Sequence, residues 1–254
     1  MAPAGLDKRA MGDGRGVRAL GIIPARGGSK SVPRKNLYPL LGRPLIAWTI
    51  GPSLQAKRLD RVILSTEDPE IAETARRLGA EVPFMRPAGL ATDDTPDLPV
   101  FQHVLSELRE REGYVPDAIV HLRPTQPLRT AEDIDAVIEA WVRSGADCVK
   151  SIRLVAEHPF KMYRIVEDRL APYLDTEERR RRGPDVPRQS LEPVYLSAGV
   201  VDVIRRETVE AGSTEGGIVV PYLADPERYV NLDSARDFVI AETLMRALGW
   251  EGRA

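Results

Sequence analysis

The stretch Gly21-Ile22-Ile23-Pro24-Ala25-Arg26-Gly27-Gly28-Ser29-Lys30-Ser31-Val32-Pro33-Arg34-Lys35-Asn36 decides how the chain is read. An apolar run of strand composition opens after Pro24 into a loop with two adjacent glycines. Gly27 and Gly28 allow positive φ and close backbone approach, so successive N–H groups from Ala25 to Ser29 can surround phosphate oxygens. Three cations converge on the same loop. Arg26 can grip an anion with two donors, while Lys30 and Lys35 act as point charges, a set suited to the roughly four negative charges of a bound triphosphate. The loop lacks the Gly-Lys-Ser/Thr ending of a Walker sequence and the Gly-x-Gly-x-x-Gly of dinucleotide-binding folds, which demotes P-loop kinases and ordinary dehydrogenases.

Outward from this loop, short apolar runs alternate with segments of helical period, the pattern of βα units around a mainly parallel sheet. Strands are expected at Ala19 to Ile23, Arg61 to Ser65, Ala118 to Leu122 and Cys148 to Ile152. Ile71, Ala75 and Leu78 share one helical face, and Ile134, Val137, Ile138 and Trp141 form an i, i+3, i+4, i+7 stripe that should pack on the sheet. A last helix from about Ser234 to Leu248 carries Phe238, Ala241, Met245 and Leu248 in the same way, with Ser234 or Asp233 placed to cap it. The expected fold is therefore a three-layer αβα, Rossmann-like sheet. From Pro159 to Pro193 the pattern breaks. Prolines at 159, 172, 184, 187 and 193 surround Arg179-Arg180-Arg181-Arg182, a run expected to be a solvated helix face, and the stretch is expected to be an excursion serving as a dimerisation arm or subdomain. Residues 1–17 read as a flexible tail and residues 18–250 as one domain.

With 254 residues, 43% of them hydrophobic, the chain can bury a large core. Its 36 Lys and Arg against 38 Asp and Glu leave a formal charge of -2, which disfavours non-specific nucleic-acid binding. The single cysteine, Cys148, excludes an intrachain disulfide framework, and three histidines without ligand spacing argue against zinc, so any metal should be held by oxygen. No apolar h-region begins the chain and no segment approaches the ~20 apolar residues of a bilayer span, so a cytoplasmic location without membrane contact is expected.

The loop resembles the N-terminal signature of the acylneuraminate cytidylyltransferases, the CMP-sialic acid synthetases and their relatives acting on other ulosonic acids. The resemblance runs through about residues 19 to 245. Leu41-Gly42-Arg43-Pro44-Leu45-Ile46, Leu64-Ser65-Thr66-Glu67-Asp68, Arg86-Pro87 with Leu90-Ala91-Thr92-Asp93, Leu122-Arg123-Pro124-Thr125-Gln126-Pro127-Leu128-Arg129, Arg188-Gln189, and Asn231-Leu232-Asp233-Ser234 with Asp237 are similar to that family's motifs and follow in its order. What the resemblance implies is a Mg2+-dependent enzyme that joins CTP to the anomeric hydroxyl of a 3-deoxy-2-ulosonic acid and releases pyrophosphate, acting as a homodimer. It implies that Arg26, Ser29, Lys30, Lys35 and Asn36 contact the nucleotide, with Ala25, Gly27, Gly28 and Thr92 beside them.

The family often presents an Asp-x-Asp pair before the last helix, where this chain reads Asn231-Leu232-Asp233. Both side chains can reach one Mg2+, but only Asp233 keeps a charge, so CTP and water must supply most ligands. Arg123 stands where many sialate-activating members carry Gln, which adds a charge suited to an anionic sugar acid. With Thr125 and Gln189 it forms the expected acceptor set. An eight-carbon ulosonate or another small acid as acceptor, or a non-catalytic nucleotide-binding homologue, are the alternatives. His121, Trp141 and Cys148 are expected to serve packing alone.

Overall fold

The computed structural model describes residues 16 to 250, so all but the last two residues of the expected tail lie outside the described residues. From the amino end run strand β1 (Ala19–Pro24), a short ribbon of β2 (Pro39–Leu40) and β3 (Arg43–Pro44), helix α1 (Ala47–Gln55), β4 (Arg61–Ser65), α2 (Pro69–Arg77), α3 (Asp97–Glu112), β5 (Ala118–His121), α4 (Ala131–Ser144) and β6 (Cys148–Leu154). There follow the hairpin β7 (Tyr163–Val166) and β8 (Arg169–Pro172), α5 (Glu177–Arg182), β9 (Tyr195–Arg205), α6 (Arg206–Glu210), β10 (Val219–Leu223) and α7 (Ala235–Ala247).

Six strands form the main sheet in the order β10-β6-β9-β5-β1-β4. β1 lies parallel to both β4 and β5, with Ile22 opposite Ile63 on one side and His121 on the other. β9 runs antiparallel to β5 and sets Asp202 beside His121. The strands β9 and β10 and the helix α3 are not among the elements expected from sequence.

Two-residue periodicity makes three layers of this sheet. Ala19, Ile23, Val62, Leu64, Val120 and Val203 belong to one apolar cluster with Ile71 and Ala75 of α2 and the α4 stripe Ile134, Val137, Ile138 and Trp141. Leu20, Ile22, Ile63, Ile119 and Ile204 belong to a second with Phe101, Val104 and Leu108 of α3 and Val209 of α6. Alternate side chains of each strand thus serve opposite faces, and each buried aliphatic contributes about 1.5–3 kcal/mol. α4 starts at a reciprocal cap, where the Thr130 N–H donates to Asp133 at 2.9 Å and the Asp133 N–H returns to the Thr130 hydroxyl at 3.2 Å.

The described residues divide into two compact units, one made of residues 16–151 and 198–250, the other Ile152–Ser197. Within the second, the β7–β8 hairpin turns at Glu167 and Asp168, both at positive φ (48° and 61°), as a two-residue turn matched to strand twist requires. Its small core is Phe160, Val186 and Leu191. The arginine run is not wholly solvated. Arg179 is 8% exposed, its Nε donates to the Phe160 carbonyl at 2.8 Å, and its guanidinium lies over the Phe160 and Tyr163 rings, because a planar cation keeps its attraction to aromatic faces when stripped of water.

Candidate active site

The basic loop leaves β1 at the carboxyl edge of the sheet, where open α/β sheets gather ligands. Ala25 is still held by the sheet, its N–H donating to the Ser65 carbonyl at 2.9 Å. Two expectations about the loop need correction. Neither Gly27 nor Gly28 has positive φ, and what sets Gly27 apart is space: a Cβ there would stand 2.5 Å from an Asp68 carboxylate oxygen, so the Asp68 side chain would have to shift. The Gly27 N–H is not open to a phosphate either, since it donates to Glu67 at 2.7 Å. The one left-handed residue of the loop is Arg34 (φ 55°), whose guanidinium reaches Asp68 at 2.6 Å and Glu70 at 2.5 Å. Buried Asn36 donates its amide to the Arg26 carbonyl at 2.8 Å and so ties the two ends of the loop together.

Each loop cation meets a carboxylate from a distant segment. Arg26 lies 2.8 Å from Asp93, and Lys30 pairs with the other oxygen of the same carboxylate. Lys35, largely buried, donates to the Leu232 carbonyl at 3.0 Å and stands 3.6 Å from Asp233. Asp233 does not cap α7. Ser234 is the N-cap, and Asp237 accepts from the N–H groups of Asp233 at 3.0 Å and Ser234 at 2.7 Å. The Asp233 carboxylate is therefore left facing outward, 68% exposed, with the Asn231 amide donating to it and Gln126 donating to the Asn231 carbonyl at 3.1 Å. The Leu232 N–H, bonded to the Thr125 carbonyl at 3.0 Å, fixes this segment against the turn that follows β5.

Arg123, just past β5, sits between two acids. Its guanidinium reaches Asp97 at 3.3 Å, on the first residue of α3, and Asp202 at 3.2 Å, on β9. Asp202 is buried and also accepts from the Ser151 N–H at 2.9 Å and hydroxyl at 3.0 Å. Gly199, at φ 66°, leaves the space this side chain uses. Behind them Arg129 is 1% exposed and clamps the carbonyls of Val200 (2.5 Å) and Arg123 (2.7 Å); burial pushes its pKa down to about 9, still cationic at neutral pH. His121 is held neutral, its pKa lowered well below the ordinary value by burial and then by the charges of Arg123, Arg129 and Lys150. Its ring meets Phe101 edge-on and comes 3.8 Å from Asp97.

Asp97, His121 and Arg123 border an open cleft of about 270 Å3 in the larger unit. Of the site residues expected from sequence, Arg26, Lys35, Asn36, Thr92, Arg123 and Thr125 line it. Lys30 joins through Asp93 and Asp233 through Lys35. Ser29 is half-buried on the loop, and the Thr92 hydroxyl pairs with that of Thr95 at 2.7 Å. Gln189 lies exposed on a turn, Arg188–Ser190, of the smaller unit. Sequence gives no expected role to Arg86, Asp93, Asp97, Arg129 or Asp202, and only a packing role to His121. Arg86, 6% exposed and bonded to Glu67 at 3.3 Å, lies in a segment whose motif was legible, as do Asp93 and Arg129; Asp97 and Asp202 have no local signal. Among the described residues no cluster of three or more His, Cys, Asp or Glu is arranged to hold a metal by itself. The cleft thus brings together Arg26 and Lys35 of the basic loop with Arg123 and its carboxylate partner Asp97.

A family model described as Cytidylyltransferase matches residues 20–174. The chain is 36% identical over 128 residues to pseudaminic acid cytidylyltransferase of Campylobacter jejuni, covering 50% of this chain and 55% of that one. It is 36% identical over 133 residues to CMP-N,N'-diacetyllegionaminic acid synthase of Legionella pneumophila, covering 52% and 57%. The match thus spans little more than half the length of either relative. Among solved structures, CMP:2-keto-3-deoxy-manno-octonic acid synthetase complexed with CTP superposes with a TM-score of 0.65 over 91% of this chain and 99% of that one; at 14% identity the likeness is one of fold.

Proposed function

The chain belongs to the cytidylyltransferase family, and from that premise we propose that it transfers CMP from CTP to the anomeric hydroxyl of a sialic-acid-like 3-deoxy-2-ulosonic acid, releasing pyrophosphate. The observation that carries this reading is the meeting of Lys35 with Asp233 at a loop that also presents Arg26 and Lys30. The names of the two relatives, each a cytidylyltransferase or CMP synthase for such an acid, support the acceptor class.

In the proposed reaction the anomeric oxygen bonds to the α-phosphorus, and the bond from that phosphorus to the bridging oxygen breaks. The electron pair leaves on pyrophosphate and the hydroxyl proton passes to solvent. Negative charge grows on the bridging oxygen, where preorganised donors such as Arg26 and Lys35 contribute about 2.7–4 kcal/mol each. No covalent nucleophile is needed. Arg123, half-exposed between Asp97 and Asp202, retains donors for the carboxylate of the acceptor, and Thr125 stands beside it.

Mg2+ is part of the proposal. The outward-facing Asp233 carboxylate is a hard oxygen donor that fits one such ion, and Asn231, whose carbonyl already accepts from Gln126, serves mainly to orient it. An ion bound there would neutralise phosphate charge as a Lewis acid, with phosphate and water as its other ligands. The proposal includes a cytoplasmic homodimer joined through the smaller unit, whose hairpin exposes Tyr163, Ile165, Val166 and Leu170; sedimentation as a monomer at all concentrations would refute the dimer.

A pyrophosphate-release assay crossing the four nucleoside triphosphates with a panel of ulosonic acids tests the function. Release only with CTP and a nine-carbon acid is expected, and absence of release from every pair would overturn the proposal.

A further inference from the structure

Arg26 lines the open cleft and Lys30 is an exposed cation of the same loop, and both are already satisfied by one carboxylate, that of Asp93, which also lines the cleft. Asp93 splits its oxygens between them, Oδ1 at 2.8 Å from Arg26 and Oδ2 on Lys30. The Lys30 side chain is otherwise in water, 83% exposed. Asp93 is carried on a short surface turn before α3, closed by the Thr92 and Thr95 hydroxyls at 2.7 Å and by the Thr95 N–H on the Thr92 carbonyl at 3.3 Å. The hydrogen bond from Lys30, followed by the charges of Lys30 and Arg26, holds this carboxyl ionised below its ordinary range. A phosphate and a carboxylate present the same oxygens to a guanidinium, so a ligand phosphate reaching these two cations must displace Asp93. An exposed ion pair is weak enough to be displaced, yet it competes at every encounter.

We infer that Asp93 is an internal anion standing in the subsite of the β- and γ-phosphates, and that by competing for Arg26 and Lys30 it weakens the hold on pyrophosphate and promotes release of that product. The inference rests on the reading of the loop as a triphosphate site. Its consequence is selective: CTP and pyrophosphate bear the competition, whereas CMP, lacking the outer phosphates, does not.

Titration calorimetry on the full chain with pyrophosphate, CTP and CMP, in buffer containing Mg2+, tests it. Asp93→Asn and Asp93→Ser should each bind pyrophosphate and CTP at least fivefold tighter than the parent and CMP within twofold of it, while pyrophosphate becomes a correspondingly stronger inhibitor. Asp93→Glu, which keeps the charge, should stay near the parent. Equal or weaker pyrophosphate binding by the uncharged variants would make Asp93 a scaffold for the loop and overturn the inference. Equal tightening by Asp94→Asn, the same charge change one residue away, would reduce the effect to general electrostatics and overturn it too. Failure of the parent chain to bind either CTP or pyrophosphate would instead overturn the reading of the site itself.

Discussion

The ammonium of Lys35 stands 3.6 Å from the Asp233 carboxylate while donating to the Leu232 carbonyl at 3.0 Å, so the loop after β1 and the turn before α7 share one charge pair. Because Asp233 is exposed and the helix start is held by Asp237, Asp233→Asn should fold normally. Its rate is expected to fall about 100- to 1000-fold and its apparent Mg2+ affinity at least about tenfold, measured as pyrophosphate release against Mg2+ concentration. Normal rate and metal dependence in the folded variant would remove Asp233 from the site.

Arg123→Gln should change acceptor use and not nucleotide use. The guanidinium lines the cleft and is tied to Asp97 and Asp202 at 3.3 and 3.2 Å, whereas Arg26 and Lys30 pair with Asp93 and Lys35 with Asp233. Loss of a charge-assisted pair costs on the order of 1.5–3 kcal/mol, so kcat/KM for the acceptor is expected to fall tenfold or more with the KM for CTP nearly unchanged. Part of the same loss should appear as lower thermal stability, because buried Asp202 loses a partner.

Gly199→Ala carries two penalties at once. Its φ of 66° disfavours any side chain, and the new Cβ would lie 2.7 Å from Nη1 of Arg123. Denaturant unfolding is expected to show a loss of about 1–3 kcal/mol, and kinetics the acceptor defect of Arg123→Gln. A variant with intact acceptor kinetics would separate Gly199 from the placement of Arg123.

Stability should fall on mild acidification. Burial, reinforced by Arg123, Arg129 and Lys150, keeps His121 neutral in the fold, whereas the unfolded chain takes up a proton below about pH 6.5. The unfolded state thus binds more protons as pH drops through that value, and folding free energy is lost toward the depressed folded-state pKa. Thermal unfolding between pH 7.5 and 5 should show a falling Tm, and His121→Gln should flatten that slope even if its Tm starts lower. An unchanged slope would assign the acid sensitivity to other groups.

Local chemistry made much of this protein legible in its sequence. The Ile71 to Leu78 and Ile134 to Trp141 stripes, the strand at Arg61 to Ser65 and the start of α7 depend on periodicity and capping within a few residues, and those signals survive without a partner. The ordered motifs also brought the basic loop and Asp233 into view. Only the tertiary structure decided which charges meet. Asp93 on Arg26 and Lys30, Glu67 on the Gly27 N–H, Asp97 and Asp202 around Arg123, and Arg129 beneath it are pairings across sheet register and between loops far apart in sequence. The antiparallel entry of β9, which sets Asp202 beside His121, is of the same kind. Burial of Arg179 against Phe160 is another, since a run of four arginines looks alike wherever it folds. The physical reason is that hydrogen bonds and ion pairs are fixed by angstrom-scale separations that local propensity does not encode, whereas helix and strand periods are written in the spacing of neighbouring side chains.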